Sequence, residues 1–190
     1  MTTRHLSGIL LAAILASAAI AAFALTLAPK EANAGFVTAR TCDGGSISLT
    51  NAEGRILKLH NQARTSRGLK ALCVQPDLTK AARAHSQEML DKDYMAHNSF
   101  DGESVKQRLE RFGYTFKGYS YYIVGENIAW GCGSRGSPGS VFDFWMHSKA
   151  HRGNILNGKF RQVGIGARSG TFKTCNNATT YTVDFATRWR

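Results

Sequence analysis

The chain has 190 residues, with 24 Lys and Arg against 13 Asp and Glu, for a formal net charge of +11. That length allows one domain with a proper core once a leader is set aside. The charge favours anionic partners. The basic residues are scattered, however, and carry no recognition-helix or RNA-sheet signature, so nucleic acid is not an expected partner.

Residues 1–34 read as a signal peptide. Arg4 and His5 form a basic start, Leu6 to Leu27 is an apolar run, and Ala32-Asn33-Ala34 is a small-residue cleavage signal just past Pro29. The run is long enough to cross a bilayer, which makes an uncleaved anchor the competing reading. With cleavage after Ala34, no further apolar run of membrane length remains, leaving an extension at 35–51 and a domain at 52–190. Cys42, Cys73, Cys132 and Cys175 all fall in this mature part, and an even count in an exported chain implies two disulfides. Three pairings are open. Cys42–Cys73 with Cys132–Cys175 is preferred, because it pins the extension to the loop after the first helix and ties two stretches flanking the sheet.

Gly35 to Leu49 reads as an extended or turning lead-in. Thr50-Asn-Ala-Glu53 has capping-box spacing, followed by a helix with Ile56, Leu59, His60 and Ala63 on one face and a stop at Gly68. A second helix starts near Pro76-Asp77 and buries Leu78, Ala81, Ala82, His85 and Met89, so His60 and His85 read as core histidines. Tyr94 to Gly102 is a turn-rich loop carrying His97, and loop histidines are readily positioned at clefts. A third helix spans Glu103 to Arg111, and Tyr114 to Tyr122 is an aromatic crossing whose rings either pack downward or line an apolar groove. Val124 to Trp130, with Glu126, shows no clear period. Pro138 and Gly139 precede a helix capped by Ser140 that ends near His151. His147 and His151 share a face if that helix persists, with His147 turned to solvent. Gln162 to Arg168 and Tyr181 to Thr187 alternate as strands, joined by a long loop over Ser169 to Thr180. Helices ahead of paired C-terminal strands predict an α+β domain.

His97-Asn-Ser-Phe-Asp-Gly102, Gly125-Glu-Asn-Ile-Ala129 and Ser148-Lys-Ala-His-Arg-Gly-Asn-Ile-Leu156 together resemble the CAP superfamily of cysteine-rich secretory proteins, antigen 5 and pathogenesis-related protein 1, in its compact bacterial branch. Leu59-His-Asn-Gln-Ala-Arg64 is similar to the family's opening helix, and Gln162 to Gly166 and Tyr181 to Phe185 to its closing strands. The resemblance implies an α-β-α sandwich, a three-stranded antiparallel sheet between helical layers, with its third strand near Gly125 to Trp130. It also implies a cleft lined by two histidines and two acids. His97, Glu126 and His151 take three of those places; the fourth falls on Ser148, with Asp101 or Glu103 as substitute carboxylates.

Two neutral imidazoles and a carboxylate suit Zn2+ with water in the fourth position, and such a water has its pKa lowered to about 7. The competing use of the same side chains is a hydrogen-bonded lock of His97 and His151 on Glu126 without metal. There is no His-Glu-x-x-His, no Gly-x-Ser-x-Gly and no activated cysteine, so no catalytic residue is assigned. The expectation is a secreted module, periplasmic or extracellular, that binds a lipid, a sterol or an anionic envelope component. Its rival is a metal-dependent hydrolase using His97, Glu126 and His151.

Overall fold

One sheet with an apolar layer on each face organises residues 35–190, which a computed structural model of the chain describes; the expected signal peptide lies outside the described residues. The lead-in is a hairpin, β1 (Phe36–Arg40) antiparallel to β2 (Ser46–Thr50), turning through Gly44 at φ +89°. It runs straight into helix α1 (Asn51–Thr65) through the expected capping box: Thr50 Oγ1 accepts from Glu53 N at 3.2 Å, and Glu53 accepts from Thr50 N at 2.9 Å. Gly68, at φ +70°, lies just past the helix as expected. A two-residue strand β3 (Cys73–Val74) leads to α2 (Pro76–Asp91), capped by Gln75 with Pro76 in the first turn. Helix α3 (Val105–Arg111) follows, with a second capping box from Ser104 and Gln107.

The aperiodic stretch around Glu126 is a full strand, β4 (Tyr121–Cys132), longer than the short third strand expected. It has no alternation because it is covered on both faces over Glu126 to Ala129. After a short 3-10 helix (Gly133–Gly136), α4 (Pro138–His147) is capped by Ser137, three residues earlier than the expected Ser140. The helix does not continue to His151. Ser148 is extended at φ −91°, ψ 124°, and a separate helix α5 (Lys149–Ile155) starts after it, so His147 and His151 sit on different helices.

Strands β5 (Gln162–Phe172) and β6 (Cys175–Trp189) meet in a tight turn at Lys173, not in the long loop expected, because the ladder extends to Phe172↔Cys175. The sheet order is β3-β5-β6-β4. The expected three-stranded antiparallel sheet is therefore corrected to a four-stranded mixed one: β4, β6 and β5 are antiparallel, and β3 adds a short parallel edge. The added edge is too short to show in the sequence pattern, and it is secured by the Cys42–Cys73 disulfide and the Thr41↔Val74 bridge. The second bridge is Cys132–Cys175, so the preferred pairing holds.

Alternation along β6 splits the layers. Tyr181, Val183 and Phe185 join Ile56, Val141, Phe142 and Trp145 on the α1/α4 side. Ala186 packs with Leu78, Ala81 and Leu109 on the α2/α3 side, where Thr180 and Thr182 instead bond Ser86. On that side α2 lies directly against β5: a Cβ at Gly164 or Gly166 would overlap the backbone of Leu78 or Ala82. Arg64, fully buried, holds the opposite layer together by donating to main-chain oxygens of Lys70 (2.9 Å), Ile155 (2.8 Å), Asn157 (3.0 Å) and Phe160 (3.0 Å).

Candidate functional site

The β4–β6 ladder pairs Glu126 with Asp184, placing two acids side by side on the α2/α3 face. Helix α3 brings a third charge: Arg108, its side chain 1% exposed, donates through Nη2 to Glu126 Oε2. The same guanidinium donates through Nη1 to His97 O at 3.1 Å and to Ser99 Oγ at 3.2 Å, which fixes the loop after α2. His97 Nδ1 then donates to Glu126 Oε1 at 2.7 Å. Both Glu126 oxygens are thus engaged, and the side chain is 2% exposed, whereas that of His97 is 54% exposed. The hydrogen bond to Glu126 raises the His97 pKa despite partial burial. With Nδ1 turned inward, the Nε2 edge is the one left to a ligand.

His151 reaches the same region from α5. Asn127 Nδ2 donates to His151 O at 3.0 Å, and Asn154 Nδ2 donates to Glu126 O at 3.1 Å and to Asn127 Oδ1 at 2.9 Å, binding α5 to β4. Gly125 permits that approach, since a Cβ there would lie 3.0 Å from Asn154 Oδ1 and 2.9 Å from Phe160. The His151 ring packs 5.6 Å from that of Phe144, and its Nδ1 is buried without a partner among the described residues. Burial, and then the nearby charge of His97, lower its pKa.

Two buried groups stand behind this cluster. Asp184 has no hydrogen-bond partner for either oxygen among the described residues; burial, and then Glu126, push its carboxyl well above the usual carboxylate range. His85 is a core histidine as expected, and its Nε2 donates to Ala96 O at 2.9 Å, securing the residue before His97.

Of the residues expected at the site, His97, Glu126 and His151 gather here. Ser148 lies at the α4–α5 break as the cap residue of α5, where its carbonyl accepts from Arg152 N. Asp101 is exposed and accepts from Glu103 N, while Glu103 pairs with Arg111 at 2.7 Å, so both carboxylates have other partners. Arg108 and Asp184 are the side chains of this cluster that the residue pattern did not bring forward. The available signal for Asp184 was an acid on the inward row of a strand covered on both faces. Among the described residues, no group of three His, Cys, Asp or Glu is placed to hold one metal ion.

The family model for the cysteine-rich secretory protein family, CAP, matches residues 57–185. The chain is 38% identical over 135 residues to the uncharacterized protein YkwD of Bacillus subtilis, covering 70% of this chain and 49% of that one. It is 31% identical over 140 residues to the uncharacterized membrane protein YlbC of the same organism, covering 74% and 36%. The chain thus spans half or less of the length of these curated relatives. Among solved structures, an extracellular Bacillus anthracis protein containing a SCP domain matches at TM-score 0.57 and 27% identity, over 70% of this chain and 39% of that one.

Proposed function

The chain belongs to the cysteine-rich secretory protein family, and from that premise we propose that it is an exported, non-enzymatic binding module whose cleft at His97 and His151 takes the anionic group of an envelope lipid. The observation that carries the reading is the full engagement of Glu126 by Arg108 and His97. A carboxylate so held serves poorly as a general base, and its role is to hold His97 with Nε2–H outward. Burial disfavours charge on Asp184, and Glu126 favours the charged form of the half-exposed His97, so the open imidazole edge suits an anionic group. Export is supported by the two disulfides and by the extracellular description of the Bacillus anthracis neighbour.

Zinc, the metal that two imidazoles and a carboxylate suggest, does not fit the donors as they stand. It would have to displace Arg108 or His97 from Glu126 to recruit a third ligand, and it would then lie beside a buried guanidinium. No step is therefore assigned to a metal.

The test is calorimetry on the oxidised domain, with dihexanoyl-phosphatidylglycerol kept below its micelle concentration and, separately, with zinc. Binding of the lipid that weakens as the pH rises through the elevated His97 pKa, and that is lost in His97→Gln, is the expected result. Lipid binding indifferent to His97→Gln overturns the reading. So does micromolar zinc binding lost in both His97→Ala and His151→Ala, which would restore the metal cleft and its hydrolase rival.

A further inference from the structure

The aromatic crossing is divided by the structure into buried and presented rings. Tyr114 and Phe116 are buried at 0% and 6% exposure, whereas Tyr121, Tyr122 and Trp189 stand out at 48%, 40% and 41%. The exposed rings occupy one end of the sheet, where β4 begins and β6 finishes, in register as Tyr121↔Trp189 and Tyr122↔Arg188. Because neighbouring residues of a strand point to opposite faces, the rings wrap both sides of this end. Tyr121 packs against Trp189 at 4.9 Å, and Tyr122 against Phe116 at 4.4 Å.

Cations are set among these rings. Arg188 lies over Tyr114 at 4.1 Å and Tyr119 at 4.5 Å, and Arg190 lies over Tyr119 at 5.5 Å. Lys117 is exposed in the same loop. None of these three forms a salt bridge among the described residues, and neither 112–122 nor 185–190 contains an acid. Two carboxylates on flanking helices, Glu110 of α3 and Asp77 of α2 beside Gly113, are paired with Lys106 at 2.8 Å and with Lys80 at 2.8 Å. Arg188 also donates to Thr115 O, and none of the three has an acidic partner among the described residues. Exposed Trp and Tyr interleaved with such Arg and Lys have the composition of a membrane–water boundary: the rings suit the headgroup depth and the cations suit anionic lipid.

We propose that this end of the sheet is an interfacial anchor that seats the domain on an anionic lipid surface, separately from the His97 cleft. The rings enter the headgroup layer, while Lys117, Arg188 and Arg190 meet lipid phosphates.

The test is sedimentation of the oxidised domain with vesicles of phosphatidylcholine alone or mixed with phosphatidylglycerol. Binding should appear only with the anionic lipid and fall with added salt. Lys117→Gln with Arg190→Gln should lower partitioning by about 30-fold, from the contribution expected of two basic residues near a charged surface. Trp189→Ser should lower it without changing the charge. Arg40→Gln with Lys58→Gln removes the same charge near β3, at the opposite edge of the sheet. An equal loss in that control pair would reduce the effect to net charge and overturn the anchor. Equal binding to neutral vesicles, or a Trp189→Ser protein that partitions like the wild type, would do the same. Trp189-dependent binding to dextran sulfate in place of vesicles would reassign the patch to a polysaccharide.

Discussion

Replacing Arg108 with Met removes the positive partner of a carboxylate that has almost no contact with water. The side chains of Arg108 and Glu126 are 1% and 2% exposed, so the variant leaves Glu126 with only the half-exposed His97 as counter-charge. Breaking one side of a buried pair costs roughly 3–5 kcal/mol, much of it the penalty of the charge left behind. For a domain of this size, with a urea m-value of about 2 kcal/mol/M, that is a fall of roughly 2 M in the unfolding midpoint. The assay is urea unfolding at pH 7 under oxidising conditions, followed by tryptophan fluorescence. Glu126→Gln on top of Arg108→Met removes the stranded charge, and the double variant should be more stable than Arg108→Met alone by about 2 kcal/mol. A single variant that loses less than about 1 kcal/mol, or a double variant that falls by the sum of the two singles, refutes the idea that Arg108 neutralises Glu126.

Acid should weaken the fold through its buried imidazoles. His60 lies among Phe142, Trp145 and Phe185, and burial pushes its pKa down to about 4 from 6.5. The unfolded chain therefore takes up a proton that the folded chain refuses, and stability falls as pH drops from about 6.5 towards 4, by roughly 3 kcal/mol. His97, whose pKa is raised, acts with the opposite sign, so the pH-dependence of the midpoint should flatten in His60→Phe. Gly164→Ala or Gly166→Ala, by forcing α2 off β5, should cost about 3 kcal/mol or more, read as a lower melting temperature or loss of soluble protein. Replacing Cys132 and Cys175 by serine opens a link across 43 residues and should cost about 4 kcal/mol by loop-closure entropy, measured by denaturant unfolding against the oxidised wild type.

Local chemistry made much of the fold legible. The Thr50 capping box, Pro76 at the start of α2 and the alternation of Tyr181, Val183 and Phe185 each act within a few residues, and each appears where the sequence put it. Long-range pairing was less visible. A two-residue strand such as Cys73–Val74 carries no periodicity of its own, and β4 loses its alternation through burial on both faces. The helix break at Ser148 was hidden because the residues on either side are compatible with continuing the helix, and the geometry there is set by α5 docking on β4 through Asn154. At the site, the motif residues His97, Glu126 and His151 do converge. Their bonding depends on Arg108 and Asp184, whose roles arise only when α3 and β6 are laid against β4.

The guanidinium of Arg64 has a consequence for how this region tolerates sequence change. Its bonds all end on main-chain oxygens, at Lys70, Ile155, Asn157 and Phe160, and those acceptors exist whatever side chains stand there. The loop from α5 to β5 can therefore drift in composition wherever its side chains are not otherwise packed, while position 64 has almost no freedom. Lysine offers one nitrogen where three are used, and a neutral residue would strand four carbonyls in the interior. A mutational scan should show a sharply intolerant residue 64 facing a more permissive stretch at 158–159, a pattern that would look like isolated conservation without the main-chain geometry that produces it.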